Sequence, residues 1–121
     1  MQISLDSYSA KFLIRSYQNG TFTVNDQQYQ STLLIDNNSL KTDELPLFSE
    51  VDQSFLSDIG IQNYEVVILG TGKELTFPEW EVIEHAQILG TPLEVMATDA
   101  ACRTFTVLAS EGRQVLALLY P

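Results

Sequence analysis

The sequence predicts an α/β protein with an N-terminal antiparallel β-meander followed by a βαβαβ unit of parallel strands. Three observations predict it. The first third alternates with the two-residue β period around an Asn19-Gly20 turn. The second half switches to short, nearly unbroken apolar runs. Between those runs lie helical patterns that end at Gly90 and Gly112.

Residues 11–17, with Phe12 and Ile14, read as the first strand. Asn19-Gly20 suits a type I′ hairpin, whose two central residues need positive φ. Residues 21–24 return as the second strand, Asn25-Asp26 turns the chain again, and residues 29–35 form a third strand. Residues 36–48, opening on Asp36-Asn37-Asn38-Ser39 and holding Pro46, read as loop. Ser49 followed by Asp52 is a loose capping signature for a helix over residues 50–59, with Gly60 just past its end. Residues 64–69 then suit a strand buried on both faces, ahead of Gly70-Thr71-Gly72. Pro78 fits the first turn of a second helix that runs to Leu89. Residues 92–96 form a further strand. Thr98 is placed to cap a third helix over residues 99–110, and residues 114–120 close the chain as a strand.

The helical projections add detail. Val82, Ile83, Ala86 and Leu89 make the buried face of the second helix. Glu81, Glu84 and His85 face outward, and Trp80 stands at the boundary. On the third helix, Asp99, Arg103, Thr106 and Ser110 form a narrow polar stripe. Ala100, Ala101, Cys102, Phe105, Val107, Leu108 and Ala109 fill most of the remainder. An apolar arc that wide needs cover on more than one side, from the sheet and from either the meander or a second subunit.

Composition removes whole classes of function. The chain has 121 residues and a net charge of −10, which repels a phosphate backbone, so nucleic acid is not an expected partner. The charge is spread evenly, with no repeat or linker, so residues 1–121 are expected to form one domain. One cysteine allows no internal disulfide and no cysteine-rich zinc site. No apolar run reaches the roughly 20 residues of a membrane span. The first residues lack a basic region followed by an apolar one, so no secretory leader and a cytoplasmic location are expected.

Candidate chemistry is sparse. Gly70-Thr71-Gly72 follows a buried strand at the end where open α/β sheets place ligands. It reads either as a tight turn or as a backbone cradle for an anion. It has neither the Walker frame nor the third glycine of a dinucleotide fingerprint. Ala97-Thr98 ends the next strand, so both loops should converge on one crevice. Arg103, four residues after Asp99, reads as an i,i+4 ion pair or as an anion-binding side chain at the crevice edge. Arg113 opens the last strand at the opposite end and reads as a structural brace. Cys102 reads as a core residue and His85 as a solvated surface histidine. No catalytic triad, metal-ligand spacing or cofactor motif is present in the sequence, so no catalytic residue, metal or cofactor is expected. Residues 36–65 carry seven acids and one base, a solvated face or a docking face for a basic partner.

Four short blocks occur in order: Leu69-Gly70-Thr71-Gly72, Leu93-Glu94-Val95-Met96-Ala97-Thr98, Ala100-Ala101-Cys102-Arg103-Thr104-Phe105 and Ser110-Glu111-Gly112-Arg113-Gln114-Val115. With them the chain resembles the MTH-938-like domain family over about residues 10–120. The family is a domain of unknown function that includes a mitochondrial assembly factor of respiratory complex I. The resemblance implies a three-layer α/β fold, no established catalytic residues and no known cofactor. Gly70, Gly72, Met96, Thr98, Arg103, Glu111, Gly112 and Arg113 match its pattern. Ala97 stands where an acid is common, and Thr106 where Asn is common. Two readings follow. One is a non-catalytic interaction or assembly protein with a protein partner or a second copy of itself. The other is a binder of a small anion, or an unrecognised enzyme, using Gly70, Thr71, Gly72, Thr98 and Arg103.

Overall fold

The computed structural model describes residues 11–121. Residues 1–10, on which most of the leader reading rests, lie outside the described part. The meander comprises β1 (Ile14–Gln18), β2 (Thr21–Val24) and β3 (Gln27–Tyr29). Its strands pair antiparallel in the order β1-β2-β3. Asn19 (φ 52°) and Gly20 (φ 76°) both take left-handed backbone, as a type I′ hairpin demands.

A second sheet holds five strands: β4 (Leu33–Asp36), β5 (Leu40–Lys41), β6 (Val66–Gly70), β7 (Leu93–Met96) and β8 (Val115–Leu119). Their order is β5-β4-β8-β6-β7. The three strands of the βαβαβ unit are parallel to one another, and β4 joins β8 antiparallel. The sheet is therefore mixed, with the first strand of the unit between the other two.

The expected third strand over residues 29–35 divides in two. Tyr29 pairs with Phe22 in the meander, whereas Leu33–Asp36 pair with β8 in the other sheet. Residues 30–32 carry the chain across. The alternation runs on through the crossing, so periodicity alone did not mark the change of partner. The two-residue β5, within the expected loop, was too short to show a period.

The first helix also differs from expectation. A 3₁₀ turn covers Phe48–Glu50, and α1 spans only Gln53–Asp58. Its cap is Asp52, whose Oδ1 accepts the Phe55 N–H at 2.9 Å, rather than Ser49. Gly60 follows in the left-handed region at φ 69°, as expected of a residue just past a helix end. The helix α2 spans Trp80–Ile88, so Pro78 stands one residue before the Glu79 cap and not inside the first turn. The helix α3 spans Thr98–Ser110, with Ala97 at the cap position.

Three layers result. The sheet's side chains alternate between two cores, as the pleat dictates. Val115, Ala117 and Leu119 of β8 join Ile68, the α3 residues Ala101, Cys102, Phe105 and Ala109, and the meander residues Phe22 and Val24. Leu116 and Leu118 join Val67 and Leu69 against Leu56 of α1 and Val82 and Ala86 of α2. The second cover of α3 is thus the meander, with α3 packed against β1 as well as β6 and β8. Thr106 of the supposed polar stripe turns to that layer and donates to the Ile14 carbonyl at 3.4 Å. Val107, expected under cover, is 56 % exposed, so the apolar arc is narrower than the projection drew it.

Candidate functional site

The carboxyl ends of β6, β7 and β8 meet where the crevice is expected. Gly70, Thr71, Gly72 and Thr98 are brought together there, but they bond to one another. The Thr71 N–H donates to the Met96 carbonyl at 3.0 Å. The Gly72 N–H donates to Thr98 Oγ1 at 2.7 Å. The Thr98 N–H donates back to the Gly72 carbonyl at 2.9 Å. Thr98 Oγ1 in turn donates to the Tyr120 carbonyl at 2.6 Å. The Tyr120 N–H closes the set on the Gly70 carbonyl at 3.0 Å. One fully buried hydroxyl therefore ties the ends of all three parallel strands.

This geometry corrects the capping role expected of Thr98. Its hydroxyl does not bond to its own helix. The two backbone N–H groups of Thr71 and Gly72, which an anion cradle would use, already have protein acceptors. Thr71 Oγ1 donates to the Glu74 carbonyl at 2.6 Å and accepts the Thr76 N–H at 3.1 Å, shaping the next loop. Gly70 is a packing glycine. A Cβ there would meet Leu119 Cδ2 at 2.9 Å, Ala101 Cβ at 3.0 Å and Thr98 Oγ1 at 3.1 Å.

The open space at this end lies one layer outward. A depression of about 410 Å³ is lined by Tyr17, Gln18, Asn19, Gly20, Lys73, Asp99 and Pro121. The hairpin tip forms one wall, and none of the five crevice residues lines it. Arg103 borders a smaller neighbour of about 120 Å³ together with Arg15, Tyr17, Asp99 and Cys102. The Arg103 side chain is 71 % exposed and stands 3.9 Å from Asp99, the i,i+4 pair of the sequence reading. The sequence marks the hairpin tip only as a turn and does not mark Lys73. Lys73 directly follows Gly72, but only the tertiary fold brings residues 17–20 beside it.

The remaining matched positions are structural in their contacts. Met96 packs against the α3-side core. Glu111 is the C-terminal cap of α3, and Gly112 follows at φ 82°. Arg113 Nε donates to Glu65 Oε1 at 3.2 Å, at the end of the sheet away from Thr98. Nearby, Asn37 brackets β8: its Nδ2 donates to the Arg113 carbonyl at 2.7 Å, and its Oδ1 accepts the Val115 N–H at 2.9 Å. The adjacent Asp36 accepts the Tyr64 hydroxyl at 2.6 Å and the Asn38 and Ser39 N–H groups at 2.8 and 2.7 Å. Partial burial pushes the Asp36 carboxyl up, but those bonds outweigh it and hold the group below the usual carboxylate range. Tyr64 responds oppositely. Burial first, then the bond to Asp36 and its charge, push the phenol up to about 12. The sequence marked Asp36-Asn37 only as a loop start.

Neither potentially reactive side chain has a catalytic setting. Cys102 is buried, and burial, followed by the charge of Asp99, pushes its thiol up to about 12. His85 is half-buried at the surface, with Nε2 3.1 Å from Ser57 Oγ across the α1–α2 contact. Among the described residues no group of three or more His, Cys, Asp and Glu side chains is placed to hold a metal. No helix among them is long and apolar enough to cross a membrane.

Comparison with known proteins agrees with this architecture. A Francisella tularensis protein named "13 kDa major membrane protein" is 26 % identical over 121 residues, covering 98 % of both chains. A zebrafish protein named "NADH dehydrogenase [ubiquinone] 1 alpha subcomplex assembly factor 3" is 42 % identical over 57 residues, 47 % of this chain and 33 % of that protein. A Bordetella pertussis protein solved as an Mth938-like domain shares the fold, with TM-score 0.73 and 20 % identity over 100 % of this chain and 89 % of that one. The model of "Protein of unknown function (DUF498/DUF598)" matches residues 14–120. The chain therefore belongs to this family, and its fold is that of the Mth938-like domains.

Proposed function

We propose that this protein works without catalysis, as an interaction or assembly factor that binds another protein or a second copy of itself. The observation that carries the reading is the 42 % identity over 57 residues to a protein named as an assembly factor. The local chemistry supports it. The strand-end hydroxyl and amides are bonded internally, the thiol is buried, and the histidine bonds a serine. A cytoplasmic location goes with this reading. Cell fractionation tests it against the membrane location in the Francisella protein's name. Native purification after crosslinking in the cell tests the interaction itself. A crosslinked partner or homodimer is the expected result, and free monomer under every condition contradicts it.

A second reading is favoured by the depression of about 410 Å³ with Lys73 on its wall. There a small anion would meet Lys73, and Arg103 would stand at the edge. Gly70, Thr71, Gly72 and Thr98 would hold the frame. A thermal-shift series with anionic metabolites tests it. A shift lost in Lys73→Ala and reduced in Arg103→Ala supports it, and an unshifted wild type rejects it.

A further inference from the structure

The side of the sheet away from α3 carries a surface the strand-end chemistry does not use. Four large apolar side chains near the start of α2 and the 3₁₀ turn stand in water. Leu47 is 66 % exposed, Phe77 63 %, Trp80 62 % and Leu75 54 %. Scattered exposed apolar residues are ordinary, but aromatic side chains beside a groove are what protein interfaces use as anchors. Here there is a groove of about 580 Å³, lined by residues 49–54 and by Glu79, Glu81 and Val82. Trp80 lies in the chain between two of those lining residues, and Leu47 two residues before the first.

The groove's charge has one sign. Glu50, Asp52, Glu79 and Glu81 line it, and among the described residues no Lys, Arg or His does. Two of the four have local tasks: Glu50 accepts the Leu47 N–H at 3.1 Å, and Asp52 caps α1. Glu79 and Glu81 sit favourably at the start of α2, where the helix dipole welcomes an acid. Those tasks explain the carboxylates but not the exposed rings beside them. Exposed apolar side chains adjoining in sequence a groove whose charged lining residues are all acids select the occupant. A second copy of this chain brings a net charge of −10, and an anionic lipid surface brings the same sign. A basic segment with apolar residues on one face satisfies both the exposed apolar side chains and the carboxylates.

We propose that this face, with Glu79 and Glu81 lining the groove and the exposed Trp80 between them in the chain, docks a cationic amphipathic segment of a partner protein. The proposal deepens the interaction reading and rests on it.

Trp80 is the single tryptophan of the chain, so its emission reports on this face alone. The purified protein is titrated with a short synthetic helix-forming peptide carrying lysines on one face and leucines on the other. A saturable blue shift is expected. Binding should be about tenfold weaker in E79Q/E81Q and unchanged in D26N/E94Q, which removes the same charge elsewhere. Four results overturn the proposal: no shift, an equal shift with a control peptide carrying glutamates in place of the lysines, equal weakening by both variant pairs, or a shift with phosphatidylglycerol vesicles but not with peptide. Native crosslinking of wild type and E79Q/E81Q separates the two levels. A partner retained equally by the variant rejects this face and leaves the interaction reading standing. Absence of any partner from the wild type rejects the interaction reading itself.

Discussion

The two ends of the strand β6-to-α2 connection differ in kind. At its start, Gly70 and Gly72 are buried, and the Gly72 N–H bonds to the buried Thr98 hydroxyl. Towards its other end, Phe77 and Trp80 stand in water, with Glu79 between them in the chain. The glycine-rich start looks like a ligand loop in sequence, yet its polar groups are spent on holding three strand ends together. The loop's far end carries no motif, yet it leaves exposed the apolar surface that folding normally covers. The comparison teaches that a motif's polar groups must be counted against their internal partners before a ligand is assigned to them.

The largest expected effect breaks the buried end. Thr98→Val keeps the shape but strands the Gly72 N–H and the Tyr120 carbonyl, costing about 2–5 kcal/mol. Urea unfolding measures it. A loss below about 1 kcal/mol would mean the hydroxyl is not the tie described here.

A smaller effect comes from the opposite end of the sheet. Tyr64→Phe removes a bond to the partly exposed Asp36 carboxylate, worth about 1–2 kcal/mol. Its pH dependence has a fixed sign. The Asp36 carboxyl is held below its ordinary range when folded, so its contribution is present at neutral pH. It fades as pH falls below about 4, through the folded value. The difference between wild type and variant should therefore shrink in acid. The Tyr64 phenol, raised to about 12, contributes below pH 10.0 and loses that contribution as pH climbs towards 12. Stability curves from acid to alkaline pH check both limbs.

The smallest effect is at Arg103. Its ion pair with Asp99 is long and exposed, so Arg103→Ala should change stability by less than about 0.5 kcal/mol. A large loss in urea unfolding would give this arginine a role its geometry does not show.

Much of the fold was legible because period and punctuation agree. Asn19-Gly20, Gly60, Gly90 and Gly112 mark turns or helix ends where the backbone is left-handed. The apolar run ending at Gly70 is a strand buried on both faces. What was not legible is partner choice. Tyr29 and Ile35 share one alternation but belong to different sheets. The strand-end site was legible as a convergence, since strand polarity brings residues 70–72 and 98 together. Its chemistry was not, because the Thr98 hydroxyl is consumed by the carbonyl of Tyr120, 22 residues away. Nor does any local pattern place the 17–20 hairpin tip beside Lys73.

Native-state hydrogen exchange compares the two ends in one molecule. The N–H groups of Gly72, Thr98 and Tyr120 should exchange only with global unfolding, while exposed-loop amides around Leu75 and Phe77 exchange orders of magnitude faster. Exchange of Gly72 and Thr98 as fast as that loop would contradict the account, because the strand ends would then be an open, unbonded site.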